Sequence, residues 1–135
     1  MNREKMIDTE ENIKTVGLEN ASIKAKKLLY LVINQCQVNS SNCYEYSVNA
    51  SEFSEIMGID ASDVYQAADS ITDELMYVFI KYIPEGQIKF RKIRLFRICE
   101  YTDDSMIKIQ MNEEITPILS KLKMSCNRGM MELPG

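Results

Sequence analysis

Lys81, Lys89, Arg91, Lys92, Arg94 and Arg97 place six of the sixteen basic residues of this 135-residue chain within one short span, with Phe90 and Phe96 interleaved. An ammonium or guanidinium group in such a span can hold a phosphate oxygen through a charge-assisted hydrogen bond, and contacts of that kind position a protein on nucleic acid without reading its sequence. Phosphate binding is the chemistry these residues can do. A plainer reading stands beside it. In a strand, alternation sends Lys89 and Arg91 to one face and Lys92 and Arg94 to the other, where each cation merely solubilises a sheet, so no more than half can meet one duplex.

Bond-making chemistry finds no equipment in the chain. There is no histidine and no Gly-rich phosphate loop, and the four cysteines, Cys36, Cys43, Cys99 and Cys126, form no C-x-x-C pair. Neither a zinc site nor an activated thiol is expected from such a set, and the cysteines read as reduced, mostly core thiols. No metal, cofactor or enzymatic activity is expected. The carboxylate pairs Asp103-Asp104 and Glu113-Glu114 fall in a turn and near a helix start, where acids are favoured for structural reasons. A net charge of −4 excludes a protein that coats nucleic acid by bulk charge, so any contact with DNA must come from a local patch. With 45% hydrophobic residues the chain is one domain's worth and can bury a core, and no stretch approaches the roughly 20 apolar residues of a membrane span. A soluble, cytoplasmic protein is the expectation.

The elements that must position the cations are organised around Asn49 to Tyr77. Asn49 is placed to cap a short helix with Phe53, Ile56 and Met57 on one face, Gly58 stops it, and Asp60 can cap a second helix striped by Val64, Ala67, Ala68, Ile71 and Leu75. Two short amphipathic helices joined by a glycine turn make a helix-turn-helix candidate. In front of it, Ala25, Leu28, Leu29, Val32 and Cys36 stripe a helix that begins near Ser22, with Tyr30, Leu31 and Ile33 on much of its other side. Lys24, Lys26 and Lys27 crowd its first turns, against the helix dipole. Tyr44, Tyr46 and Val48 then alternate with polar residues as a half-buried strand.

Beyond Leu75 the chain turns β-rich. MYVFIKYI is a strand candidate, Pro84-Glu85-Gly86 a turn, and QIKFRKIRLFRICEY is long enough for one extended strand that pairs across Thr102–Ser105 with MIKIQM in a hairpin. Thr116 can cap a last helix with Pro117 at its first position and Ile118, Leu119 and Leu122 on its apolar side. Helix, strand, helix-turn-helix, β-hairpin wing and C-terminal helix is the order of a winged helix, an α+β class. Residues 1–16 are expected to form a flexible tail, 17–123 the winged-helix domain and 124–135 a second tail.

The stretches ASIKAKKLLYLVINQ, YEYSVNASEFSEIMGIDASDVYQAADSITDELM and CEYTDDSMIKIQMNEEITPILSKLK together resemble the first winged-helix domain of plasmid replication initiators of the RepA/RepB type, which bind iteron repeats at a plasmid origin. The similarity runs from about Gly17 to Lys123. It implies a non-catalytic DNA-binding and dimerisation module acting on double-stranded DNA, at origin iterons or at its own operator, as a homodimer and with host replication proteins as further partners. On this resemblance the cations Lys81, Lys89, Arg91, Lys92, Arg94 and Arg97 contact phosphates, Ser62, Tyr65 and Gln66 reach an edge or a phosphate from the second helix, and Tyr44 and Tyr46 face a second copy.

Two departures qualify the resemblance. The resemblance implies a second winged-helix domain, which is not expected within these 135 residues, and Ser62, Gln66, Asp69 and Asp73 project from the second helix where the resemblance implies basic residues. Two aspartates facing phosphates would repel them. Two other readings therefore stay open: a pure dimerisation or protein-interaction domain, and an unrelated winged-helix transcription regulator.

Overall fold

A computed structural model of the chain describes residues 13–35, 44–84, 86 and 89–124. The expectations for Cys36, Cys43 and Cys126, for the loop 38–42, for Glu85 and for the tails 1–12 and 125–135 lie outside the described residues. The order is β1 (Ile13–Val16), α1 (Ile23–Gln35), β2 (Glu45–Asn49), α2 (Ala50–Met57), a 3-10 turn (Ala61–Asp63), α3 (Val64–Met76), β3 (Phe79–Tyr82), β4 (Arg91–Arg94), β5 (Phe96–Tyr101), β6 (Met106–Met111) and a second 3-10 segment (Glu113–Ile118) that continues helically through residue 124. The winged-helix order is present, and the class is α+β.

The helix-turn-helix forms for the reasons its residues suggest. The Asn49 side chain accepts the Glu52 N–H at 2.8 Å while the Glu52 side chain accepts the Asn49 N–H, a reciprocal cap that satisfies two donors at the start of α2. Gly58 ends α2 at φ 68, the left-handed region that a residue without Cβ enters freely. Phe53 and Met57 are buried on α2, and Val64, Ala68, Ile71 and Leu75 on α3. The start of α3 departs from expectation. Asp60 precedes the 3-10 turn and makes no side-chain cap, so the helix proper begins only at Val64.

Helix α1 buries Ala25, Leu28, Leu29, Tyr30, Val32 and Ile33, most of its girth, and lies at the centre of the core with α3 packed on it. A polar clasp fixes that packing. The Ser22 N–H and hydroxyl donate to the two oxygens of Glu74 at 2.6 and 2.9 Å, and the Ser22 oxygen accepts the Ala25 N–H at 3.1 Å. A carboxylate from α3 thus sits at the positive end of α1. Lys27, one of the three cations crowded there, reaches the other way and donates to the Ile56 carbonyl at 2.8 Å, completing the C-terminus of α2.

Two three-stranded antiparallel sheets flank the helices, ordered β1-β3-β4 and β2-β6-β5. Two corrections follow. Ile13–Val16 is not tail but an edge strand, paired Ile13 with Tyr82 and Val16 with Phe79. Four residues give too short a pattern to announce themselves; β3 supplies the missing ladder. Directly after β1, Gly17 has φ 96, and a Cβ there would approach the Tyr77 carbonyl oxygen to 3.0 Å, so the chain can leave the strand only with glycine at that point.

The second correction concerns the expected single strand from Gln87 to Tyr101, which breaks at Leu95. The Leu95 N–H donates to the Val78 carbonyl at 3.2 Å, on the first sheet's side, while its carbonyl accepts the Asn112 N–H at 2.9 Å, beside β6 of the second. The Asn112 side chain also donates to the Arg94 carbonyl at 3.2 Å, so Asn112 holds the carbonyls of both Arg94 and Leu95. Leu95 and Phe96 are both fully buried, which a continuing alternation would forbid. The hairpin expected with MIKIQM does form, from β5 and β6 around Thr102–Ser105. The last segment is capped by Asn112, whose side chain accepts the Glu114 N–H at 3.0 Å, rather than by Thr116, whose hydroxyl instead donates to the Glu113 carbonyl.

Leu75 lies fully buried where α3 meets the core. Leu75→Ala is expected to lower unfolding free energy by about 2–5 kcal/mol, and Asn49→Ala by about 1 kcal/mol. Urea denaturation checks both as a shift in midpoint with an unchanged slope.

Candidate nucleic-acid interface

The outer face of the first sheet carries the cations. Residues paired across an antiparallel sheet share a face, and Lys14, Lys81 and Lys92 stand opposite one another in successive strands. All three are exposed, whereas Ile80, Tyr82 and Ile93, on the other face, are buried. Like charges directly opposite each other are destabilising, so this row lowers the stability of its own sheet in the absence of an anion. Two aromatic rings lie among the ammonium groups. The Lys81 Nζ is 5.1 Å from the centre of Phe90, and the Lys92 Nζ is 5.4 Å from Phe90 and 5.9 Å from Phe79. Cation–π contact holds the two chains over the sheet.

The six cations named from the sequence are thus divided. Lys81 and Lys92 share the outer face, and Lys89 is exposed just before β4. Arg91 is turned to the core side, half-buried, with its guanidinium 3.4 Å from the Tyr82 hydroxyl. Arg94 is on the outer face by register, but its guanidinium donates to the Met76 carbonyl at the C-terminal end of α3, where a cation complements the helix dipole. Arg97 stands in the other sheet, exposed at the irregularity between Phe96 and Ile98. Lys14 joins this face only because β1 pairs with β3, a contact that four residues do not encode locally.

The second sheet and its hairpin, the wing proper, are acidic at the tip. Asp103 and Asp104 occupy the turn, and the Thr102 hydroxyl hydrogen-bonds the Asp104 carboxylate, which holds its pKa below the ordinary carboxylate value. The exposed side of α3 is acidic too. Asp69 and Asp73 face solvent, and Ser62 and Gln66 are exposed near the helix start. Tyr65, 65% exposed, sets its ring edge-on to Tyr101 at 5.3 Å and 79°, beside the turn end of the wing. These rings border a cleft of about 240 Å³ lined also by Asp69, Thr72, Cys99 and Glu100. A helix of 13 residues is roughly 20 Å long. Ser62, Tyr65 and Gln66 are therefore a helix length away from the end where Arg94 and the cationic sheet begin, and the residues expected to act together form two separate surfaces.

Neither tyrosine named for self-association offers an open side chain. Tyr46 is 9% exposed, its pKa raised first by burial and then by the Glu52 carboxylate, and the Tyr44 hydroxyl is hydrogen-bonded to Thr116. Tyr46, in β2, belongs to the core, and Tyr44, just before the strand, packs against that core and bonds the last helical segment.

A model of the initiator replication protein WH1 family matches residues 7–129. The chain belongs to that family. Among solved structures, this WH1 domain is similar to the crystal structure of the MSBI1.176 WH1 domain, a replication protein isolated from a multiple sclerosis patient. The two share 18% identity at a TM-score of 0.57, over 80% of this chain and 87% of that one. No curated protein matches the chain. The structural likeness carries the winged-helix fold of the WH1 domain. The charge placement comes from its own residues. No helix among the described residues is long and apolar enough to cross a membrane.

Cys99, in the cleft behind Tyr101, has its thiol pushed up to about 11 by burial. The thiolate is the reactive form, so in a variant with Cys36, Cys43 and Cys126 replaced by serine, iodoacetamide should modify Cys99 slowly at pH 8 and faster as pH rises toward 11. Mass spectrometry of the alkylated chain measures this; rapid labelling of the folded protein at pH 8 would contradict it.

Proposed function

We propose that this WH1 domain serves a plasmid replication initiator as a DNA-positioning module that holds origin DNA by its phosphates, through the outer face of β1, β3 and β4, without inserting α3 into a groove. The observation that carries this reading is the row Lys14, Lys81 and Lys92, three exposed cations in register on a protein of net charge −4. Such a row concentrates positive potential where the rest of the surface opposes it. The acidic side of α3 and the acidic wing tip work against the usual approach of a winged helix to DNA, because Asp69, Asp73, Asp103 and Asp104 would face phosphates. Binding of this kind discriminates little between sequences. Reading of iterons or of an operator is then left to other parts of an initiator.

Self-association is a second reading with its own support. Among the described residues, strand β2 lies at the edge of its sheet, with β6 pairing one side of its backbone ladder. An edge of this sort pairs with another strand through main-chain hydrogen bonds, without help from Tyr44 or Tyr46. Light scattering at high micromolar concentration separates the cases: a monomer there would remove self-association from the domain's role.

Fluorescence anisotropy with an iteron-bearing duplex and a scrambled duplex tests the DNA reading. Similar affinities for the two are expected, with a log–log salt slope of roughly −0.9 for each phosphate held. Lys81→Glu with Lys92→Glu should weaken both complexes about tenfold or more and make the slope shallower by about 2. Absence of binding to both duplexes at low salt, or unchanged binding by the double variant, would overturn the proposal.

A further inference from the structure

The cationic face also holds two phenylalanines, which duplex phosphates do not call for. Phe90 is 53% exposed, and Phe79 is half-buried on the same outer face. A double helix keeps its base faces stacked inside, so it presents nothing for an exposed ring to stack on. Reaching its base edges requires an element that enters a groove, as a helix or a two-stranded ribbon does. A broad sheet face can do so only by opening the groove and unstacking base steps, a free-energy cost that an unpaired strand does not carry. An unpaired strand offers what the duplex hides, namely bases whose faces stack on aromatic side chains while lysines follow the backbone.

We infer that the surface formed by Phe79 and Phe90 with Lys14, Lys81 and Lys92 is a binding platform for single-stranded DNA. This rests on the phosphate-binding reading above and names the form of DNA the face prefers. Neighbouring strands lie about 4.8 Å apart, so the lysine row spans roughly 10 Å, enough to follow a short run of backbone phosphates. Lys81 and Lys92 flank the Phe90 ring from two strands, within 5.1 and 5.4 Å of its centre. A base stacked on Phe90 takes the place of the ammonium groups on the ring and leaves them at its border, where the phosphates of the same nucleotide and its neighbour run.

The charge row disfavours a second copy of the chain as the occupant. A two-fold interface sets the same patch against itself, and here that would bring lysine row against lysine row. The acidic side of α3 cannot serve the unpaired strand either, since Asp69 and Asp73 are exposed along it.

The test uses the full chain and fluorescently labelled oligothymidylate of about 12 nucleotides, within the range of single-strand site sizes, against a duplex of the same length. The single strand should bind at least about fivefold more tightly than the duplex. Phe90→Ala should weaken single-strand binding about tenfold and leave duplex binding within about twofold, while Phe90→Trp should restore it. Phe90 is exposed, so circular dichroism should show the variants folded. Binding of neither DNA would defeat the phosphate reading and this one together. A duplex held as tightly as the single strand, or a Phe90→Ala variant weakened equally for both, would overturn the single-strand platform alone. Capture of the protein by vesicles of anionic lipid, with oligothymidylate unable to compete, would overturn it in favour of a membrane surface.

Discussion

Leu95 must satisfy two sheets with one residue, and the arrangement of charge depends on how it does so. Its N–H bonds Val78 and its carbonyl bonds Asn112, and its side chain is wholly inside the core. A buried backbone group without a partner is costly, so the chain can change sheets only where both of its polar groups find bonds on either side. Because the crossing falls between Arg94 and Phe96, the preceding cations are drawn into β4 and the following residues into the wing. Had the strand run on, Lys92, Arg94 and Arg97 would all belong to one ribbon beside α3. The switch separates a basic face from an acidic helix-turn-helix.

The helix termini draw on the same small stock of cations. Lys27 and Arg94 donate to carbonyls at the ends of α2 and α3, and Glu74 stands at the start of α1. Each of these contacts puts a charge where a helix dipole favours it, and each removes a charge from the surface available to a partner. Arg91, beside the Tyr82 hydroxyl, is withdrawn in the same way. What is left on the outer face is a set of lysines with aromatic contacts. Lysine is a point charge on a flexible stem, suited to following a phosphate chain and poorly suited to the bidentate recognition of a base edge that arginine provides. The composition of the face therefore agrees with contact that does not depend on sequence.

Much of this was legible in the chain because it is local. The cap at Asn49 with Glu52, the turn at Gly58, and the stripe Val64, Ala68, Ile71 and Leu75 are set by spacings of a few residues, and the fold class followed from their order. Ile13–Val16 was not legible, since four residues become a strand only when β3 lies beside them. The crossing at Leu95 left one trace, two successive buried apolar residues where alternation requires one, and a long basic strand disguised it. The division of the cations was half visible. Strand parity separates Arg91 from Lys92, but the attachment of Lys27 to Ile56 and of Arg94 to Met76 joins residues far apart in sequence, and no local pattern encodes it.

Membership of the initiator replication protein WH1 family sets the domain beside replication initiators, and the DNA-facing surface proposed above rests on the chain's own charge pattern. The most direct measurement is a nuclear magnetic resonance titration of the isotopically labelled chain with oligonucleotide. The account predicts that the largest shifts fall on Lys14, Lys81, Phe90 and Lys92 and their neighbours in β1, β3 and β4, with Ser62, Tyr65 and Gln66 unmoved. Shifts centred on the start of α3 and the Thr102–Ser105 turn, with the lysine row silent, would contradict it.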